Sequence, residues 1–390
     1  MKQRISNVRW IVLFCASIIF NFHFSIFNSA FAQSLPLSET ARASVVTCGP
    51  GDDFYTSFGH SAIRICDTAQ GIDEVYNYGM FSFGEPNFYW HFMQGRLNYW
   101  LGRTGFQNFI DEYASHGRSV REQRLNMSAL EVNNLFVALE WNYEPANRYY
   151  RYDLLRDNCA TRVRDMVEAM CGDRWNVEGV AWTSRSYRDY LHAALKGKLE
   201  WWTMGIDILL GLRVDHRCTP GEAMFSPLVM HDELAAMEGE KGPLVSEDVL
   251  LLAENRDEVS DSFPPLVVFA LFFAVMAILT WKEKSGNWKV GRILDRVLFI
   301  VAGLLGLFLL FMWFGTDHWC TKWNLNVLWL SPLLLLIAIR MERSPKWALW
   351  LQEAMFAVAL VWVVFCHLSV AFIPLILTLS LRVGMLIQKR

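Results

Sequence analysis

The sequence is poor in charge and lacks the common metal-binding motifs. Only 19% of its 390 residues are Asp, Glu, Lys or Arg, and the formal net charge is −3. The first two thirds of the chain contain no run of basic residues, which argues against a nucleic-acid partner. Neither a C-x-x-C nor an H-E-x-x-H motif occurs, so we predict no metal site and no cofactor.

Apolar residues are abundant, and they are unevenly distributed along the chain. Hydrophobic residues make up 53% of the sequence, and 17 residues are Trp, a composition that excludes a disordered chain. Residues 33–264 have the mixed composition of a folded soluble domain, whereas residues 265–390 are typical of membrane-spanning segments. We therefore expect an N-terminal globular domain followed by a transmembrane domain.

The N-terminus has the layout of an export signal. Lys2, Arg4 and Arg9 precede or flank an apolar stretch at 10–20, and the small-residue pattern A-F-A stands at 30–32. This order predicts a secretory signal peptide at residues 1–32, with an uncleaved anchor as the alternative. Both place the following domain across the membrane.

Five apolar stretches without charge follow residue 264. Each is long enough, with helical extension at its ends, to cross a hydrocarbon core of about 30 Å. One set of connecting segments carries eleven Lys and Arg residues and the opposite set carries only Lys322, which places the first set in the cytoplasm and the preceding domain outside. A four-span alternative would put the C-terminus outside. The predicted spans lie near residues 266–281, 297–314, 325–339, 354–366 and 368–381.

The exported domain has an odd number of cysteines. In an oxidising compartment cysteines usually pair or remain free for a reason, so two disulfides and one free thiol would account for the set, although the sequence does not reveal the connectivity. The five residues are Cys48, Cys66, Cys159, Cys171 and Cys218.

Cys159 lies where a nucleophile is expected. Asn158 or Asp157 is a good helix N-cap, and Cys159, Val163 and Val167 recur at helical spacing. The unpaired N–H groups and the dipole of a helix start favour a thiolate and can bind the oxyanion of a tetrahedral intermediate. An inert core cysteine is the alternative.

His60 is the candidate base for this thiol. It follows Gly59 and opens a predicted strand, and Cys–His pairing is a common way to activate sulfur. The next predicted strand, at 74–79, contains Asn77, which we assign as the residue that orients the imidazole. The alternative is a structural histidine.

Several motifs in this order resemble the Lnb N-terminal periplasmic domain family. They are C-G-P-G-D-D at 48–53, F-G-H-S-A-I-R at 58–64, Y-N-Y-G at 76–79 and D-N-C-A-T at 157–161, with further matches at 86–89, 201–211, 316–318 and 324–326. The order of His, polar residue and Asn-Cys also resembles circularly permuted papain-like enzymes such as the lecithin–retinol acyltransferase family. The resemblance implies an α+β, circularly permuted papain-like exported domain followed by a transmembrane bundle of about five spans.

The resemblance also implies an activity, which is lipoprotein N-acylation of the kind found in Bacteroides-type bacteria. His60 would be the base and Cys159 the acyl acceptor, and Asn77 replaces the second His of the lecithin–retinol acyltransferase family. A membrane phospholipid would donate the acyl chain, and the α-amine of a diacylglyceryl-cysteine lipoprotein would receive it. The expected location is the bacterial inner membrane, with the N-terminal domain in the periplasm.

Four residues are predicted to contact substrate: Asn158, Tyr78, Arg96 and His318. Aromatic residues crowd around Arg96, as in an acyl groove or an interfacial belt, with core packing as the alternative. His318 lies in the external loop between the second and third spans, where polar groups can meet lipid headgroups.

Two other functions use the same residues differently. A papain-like cell-wall peptidase or amidase would cut peptide amides with Cys159 and His60, but it rarely needs five spans and its cleft should be polar. A non-enzymatic membrane assembly protein would keep both residues for structure alone.

Overall fold

The computed structural model describes most of the chain. The described residues are 37–172, 175, 183–195, 199–239, 241–256, 263–285 and 290–389. The predicted signal peptide at 1–32 lies outside them.

The N-terminal part is built on a seven-stranded antiparallel sheet. Most strands carry buried side chains at alternating or nearly continuous positions, as expected for a sheet covered on both faces. The strands are β1 (Arg42–Cys48), β2 (His60–Asp67), β3 (Ile72–Met80), β4 (Asn98–Gly105), β5 (Val120–Leu125), β6 (Tyr149–Arg151) and β9 (Val245–Leu252), while β7 (Glu238–Gly239) and β8 (Gly242–Pro243) form a separate hairpin. The order across the sheet is β6-β4-β3-β2-β1-β5-β9.

Helices cover both faces of this sheet, and buried side chains form a core between the sheet and the helices on each face. Val45, Ile63 and Tyr76 pack with one set of helices, α3, α4 and α8, whereas Val46 and Ala62 pack with α2 on the other face. Burying one such side chain stabilises the fold by about 1.5–3 kcal/mol. The helices of this part are α1 (Phe88–Gln94), α2 (Phe106–Ser115), α3 (Ala129–Tyr143), α4 (Cys159–Cys171), α5 (Tyr187–Leu195), α6 (Glu200–Leu209), α7 (Pro220–Ala223) and α8 (Pro227–Ala236). The predicted α+β class is therefore confirmed.

Five apolar helices follow the sheet domain. They are α9 (Pro265–Ser285), α10 (Val290–Phe314), α11 (Leu333–Arg340), α12 (Lys346–Phe365) and α13 (Phe372–Gln388). Four segments are long and apolar enough to cross a membrane, namely Pro265–Glu283, Gly291–Phe314, Leu325–Arg343 and Lys346–Phe365, and α13 is a shorter apolar helix of 17 residues.

At the last three predicted spans, the helices differ in extent from the predicted apolar stretches. The third, predicted as continuous over 325–339, is a short 3-10 turn at Leu325–Leu328, a break, and then α11. The fourth was predicted to begin only after Glu353 and the fifth to end before Arg382, because both residues are charged. Each lies inside a helix, where Glu353 accepts a hydrogen bond from the Ser380 hydroxyl at 2.6 Å and Arg382 is paired with carboxylates.

A buried ion cluster fixes the direction of α13. Arg382 forms ion pairs with Asp295 near the start of α10 and with Glu283 near the end of α9, and Lys389 reaches Glu283 at 2.6 Å. The C-terminal ends of α9 and α13 therefore lie at the same side of the bundle. Because α9 leaves from the sheet domain, α13 must also end on the side away from that domain, which favours five crossings over the four-span alternative.

The sheet domain and the membrane helices are joined around Asp207, near the end of α6. Its carboxylate is fully buried and accepts hydrogen bonds from Arg188 Nη1 at 2.8 Å, His192 Nε2 at 2.8 Å and the Ser369 N–H at 2.7 Å. Ser369 lies between α12 and α13. The backbone carbonyl of Asp207 also accepts from the Asn326 side chain at 2.7 Å. One residue thus binds both halves of the chain.

No disulfide joins the cysteines of the described residues, so the predicted scheme of two disulfides and one free thiol was wrong. The reason is their placement in separate cores. Cys48 lies beneath α2, Cys159 and Cys171 lie at opposite ends of α4, and Cys218 lies in a third cluster beside α5. A disulfide requires Cα atoms within about 7 Å, which cysteines in different layers do not reach.

We predict that Asp207→Ala strongly destabilises the full chain. The substitution leaves the 1%-exposed guanidinium of Arg188 without one of its two carboxylates, and breaking a buried ion pair costs about 3–5 kcal/mol. The thermal unfolding midpoint in detergent micelles should fall clearly. Glu247→Ala, which removes an exposed ion pair with Arg124, is the matched control and should cost less than about 1 kcal/mol. Equal midpoints for the two variants would contradict the anchoring role.

Candidate active site

Cys159 is the first residue of α4, and a double cap fixes that position. Asn158 Oδ1 accepts from the Thr161 N–H at 2.9 Å, while Thr161 Oγ1 accepts from the Asn158 N–H at 2.7 Å. The Asn158 amide also donates to the Phe225 carbonyl at 2.9 Å. The first N–H groups of a helix have no hydrogen-bond acceptor within that helix. The N–H groups of Cys159 and Ala160 therefore have no acceptor within α4. The predicted helix start is therefore confirmed, with Asn158 as the cap.

His60 opens β2 and meets the thiol at the end of the sheet. Helix α4 packs on the sheet face of Ile63, and alternation along β2 places His60 on the other face. Because His60 is the first residue of the strand, its ring nevertheless lies close enough to Cys159 for each group to shift the pKa of the other. The second ring nitrogen, Nε2, lies 3.1 Å from Asn77 Oδ1. An amide oxygen only accepts, so Nε2 carries the proton and Nδ1 is left for the sulfur.

Both members of the pair are shifted towards their charged forms. Burial raises the pKa of the Cys159 thiol, but the charge of His60 and hydrogen bonds from His60, the Ser61 N–H and Tyr152 outweigh it, so the pKa lies below the usual thiol value. Burial lowers the pKa of His60, but Cys159 and Asn77 outweigh it, so that pKa lies above the usual imidazole value. The arrangement therefore favours a thiolate–imidazolium pair.

Tyr152 and Gly79 belong to the site, and sequence reasoning missed both. The Tyr152 hydroxyl hydrogen-bonds to Cys159, and its ring stacks on Tyr99 with centroids 4.3 Å apart. Gly79 has a φ of 89°, and a Cβ there would lie 3.5 Å from Cys159 Cβ and 3.4 Å from the Tyr152 ring. The signals in the sequence were the three tyrosines at 149, 150 and 152, shortly before the predicted nucleophile, and the glycine that ends the Y-N-Y-G motif at 76–79.

A cleft opens onto the Cys159 side chain. It measures about 460 Å³ including its mouth. Its walls are mostly aromatic and aliphatic, with few polar side chains; they include Tyr55, Phe58, Tyr152, Leu154, Asn158, Tyr190, Leu191, Phe225 and Pro227. Such a lining suits a long apolar group next to the thiol.

The structure separates the four predicted substrate contacts into two groups. Asn158 precedes Cys159, and Tyr78 belongs to the same core cluster. The Asn158 amide is engaged in capping, and Tyr78 is buried, with its hydroxyl accepting from Asn142 at 2.7 Å. Arg96 and His318 lie together at the end of α1. Arg96 Nε donates to Asp317 at 2.7 Å, and His318 Nε2 lies 3.0 Å from the Phe92 carbonyl. A substrate-binding role for these four residues stays a prediction.

Comparison with protein-family models gives two matches, in the order in which the two halves of the chain occur. A model described as Lnb N-terminal periplasmic domain matches residues 29–191, and one described as Lnb transmembrane domain matches residues 257–390. The chain belongs to the Lnb family. The first match contains His60, Asn77 and Cys159, and the second contains all five apolar helices. Membership in the Lnb family fits a lipoprotein-processing membrane protein and suggests an enzyme. No curated protein and no solved structure matches the chain.

We predict that His60→Ala raises the pH at which Cys159 reacts with iodoacetamide. Removing the imidazolium takes away the charge that lowers the pKa of the thiol, while burial continues to raise that pKa. The midpoint of alkylation, followed by mass spectrometry of the Cys159 peptide, should move to higher pH. A midpoint unchanged from that of the wild type would contradict the pairing. Alkylation of Cys66, at the other end of β2, serves as the internal control.

Tyr152→Phe should shift the same midpoint upward, but by less. The substitution removes one hydrogen bond to the thiolate and leaves the ring stacked on Tyr99. A hydrogen bond to the charged form of a group favours that form, so its loss should move the midpoint to higher pH. A downward shift would show that the hydroxyl does not stabilise the thiolate. Tyr149→Phe, at an exposed position of β6, should change nothing.

Proposed function

We propose that the protein is a lipoprotein N-acyltransferase of the bacterial inner membrane. It would move an acyl chain from a membrane phospholipid to Cys159 and then to the α-amine of a diacylglyceryl-cysteine lipoprotein. The observation that carries this proposal is the thiol–imidazole pair at the base of an aromatic cleft, in a domain held on a membrane bundle. Both substrates are lipids, and the bundle holds the thiol close to the surface in which they lie.

In the first step the Cys159 thiolate attacks the ester carbonyl carbon of the phospholipid. His60 already holds the thiol proton as imidazolium. The helix-start N–H groups of Cys159 and Ala160 are free to stabilise the oxyanion that forms. When the carbon–oxygen bond of the ester breaks, His60 gives its proton to the departing lysophospholipid oxygen, and a thioester remains on Cys159.

In the second step the lipoprotein α-amine attacks the thioester carbonyl. Neutral His60 takes a proton from the nitrogen, the carbon–sulfur bond breaks and the amide forms, so the thiolate–imidazolium pair is restored. Asn77 holds the imidazole in the orientation that both steps require, through the 3.1 Å contact at Nε2. The apolar walls of the cleft would limit hydrolysis of the thioester by water.

A cell-wall peptidase or amidase could use the same pair of side chains. Its glycan and peptide substrates are polar, so its cleft would need hydrogen-bonding groups along its walls. Most side chains around Cys159 are aromatic or aliphatic, which favours an acyl chain as the occupant. A purely structural protein would gain nothing from shifting the pKa of a thiol downward at a cleft.

The direct test is to trap the acyl-enzyme. Full-length protein in phospholipid nanodiscs, without a lipoprotein, should carry one acyl chain on Cys159 by mass spectrometry. Cys159→Ser should abolish transfer to a diacylglyceryl peptide at normal protein abundance, because a hydroxyl does not form the thiolate–imidazolium pair. Cys66→Ser removes a different thiol, which lies in β2, and this variant should keep full activity.

Cells that lack the protein supply the second measurement. The N-termini of their lipoproteins should lose the amide-linked chain and regain it with wild type or Cys66→Ser, but not with Cys159→Ser. An active preparation without acyl-Cys159, or release of peptidoglycan fragments in its place, would overturn the proposal.

A further inference from the structure

Helix α1 presents a group of aromatic side chains to the outside of the protein. Tyr89 is 77% exposed, and Trp90 and Phe92 are each about half exposed. Phe83, just before the helix, is also exposed. Monomeric soluble domains rarely expose so many neighbouring aromatic rings, which mark a contact surface.

What covers this surface is indicated by its position against the membrane bundle. The Trp90 ring stacks on Phe311, with centroids 6.1 Å apart, in the last turn of α10. Phe314, which ends α10, is 76% exposed. The outside of a membrane-spanning helix contacts lipid, so the exposed rings of α1 continue a lipid-facing surface. Aromatic side chains prefer this depth, at the boundary between headgroups and acyl chains.

Helix α1 is held at that depth by the loop that follows α10. The Asp317 N–H donates to the Gln94 carbonyl at 2.8 Å, and the Asp317 carboxylate accepts from Arg96 at 2.7 Å. Gly95 ends α1 with a φ of 70°, and a Cβ there would lie 3.1 Å from the His318 backbone nitrogen. These contacts tie α1 to the outer end of α10.

A continuous series of ring contacts runs from α1 to the thiol. Phe88, the buried first residue of α1, lies 6.0 Å from Phe81, whose ring lies 5.3 Å from Tyr99 and 6.0 Å from Tyr55. Tyr99 stacks on Tyr152, which lines the same cleft as Cys159. Tyr55 and Tyr152 both line the cleft over Cys159. The aromatic contacts therefore extend from the membrane surface into the cleft.

We propose that α1 with the preceding residues 81–87, the α1 portal, lies in the outer leaflet and guides a phospholipid acyl chain along these rings to Cys159. This inference rests on the proposed function and adds the entry route of the lipid substrate. A chain that slides from the bilayer onto aromatic rings keeps its apolar contacts and avoids crossing water.

The location of the portal can be tested without any chemistry. Full-length Cys159→Ala, in nanodiscs containing phosphatidylethanolamine with a diazirine in one acyl chain, is irradiated and digested, and labelled peptides are mapped by mass spectrometry. The lipid should label residues 81–92 as well as the outer end of α10. Strand β9, at the opposite edge of the sheet from β6 and with Leu250 exposed, should stay unlabelled. Label on α9–α13 with none at 81–92 would overturn the portal.

The use of the portal is tested with Tyr89. A carboxylate is poorly tolerated at a lipid interface, so Tyr89→Glu should slow formation of acyl-Cys159 from bilayer phosphatidylethanolamine by about tenfold, and Tyr89→Leu should restore most of the rate. Acetylation of Cys159 by water-soluble p-nitrophenyl acetate reports on the pair itself and separates a portal defect from a misfolded site. Leu250→Glu is the matched control and should match the wild type with both donors.

The outcomes separate the two proposals. If wild-type Cys159 takes no acyl group from phospholipid, the proposed function fails, whereas the labelling of residues 81–92 still decides where α1 lies. If Tyr89→Glu accepts acyl chains from the bilayer as fast as the wild type, the portal is overturned and the proposed function stands.

Discussion

The buried carboxylate of Asp207 connects the two halves of this protein, and the position of the thiol depends on that connection. Arg188 and His192 of α5 and the Ser369 N–H between two membrane helices all donate to it. Such a group is stable only when all its partners are present, because an unpaired charge at this depth is strongly unfavourable. The sheet domain, which carries Cys159, therefore has one defined position on the bundle.

At the site itself, burial opposes the charged forms of Cys159 and His60, and the interaction between the two side chains favours them. Burial disfavours both the thiolate and the imidazolium, and each is stabilised mainly by the other. Asn77 orients the ring through a neutral amide, so it adds no second negative charge to compete with the sulfur. The backbone N–H of Ser61 and the Tyr152 hydroxyl then stabilise the sulfur from other directions.

Local patterns predicted the parts of the site that lie in one segment of chain. The Asn-Cys helix start and the strand opened by His60 are both short-range features, and the structure contains both. Helices α12 and α13 extend past the charge-free stretches to include Glu353 and Arg382, because a helix can bury a charge that has a partner. Disulfides were expected from compartment and number alone, but pairing depends on distances between layers that no count of cysteines contains.

The sequence by itself determined that a domain with a helix-start cysteine is followed by a membrane bundle, since composition, periodicity and capping act over a few residues. It also indicated His60 and Asn77 as partners of Cys159 by their residue types. Only the tertiary structure decided that Tyr152 reaches the sulfur, that Asp317 and His318 hold α1, and that Asp207 joins the two domains. These contacts bring together residues far apart in the chain, and their positions follow from packing of the whole molecule rather than from any local propensity.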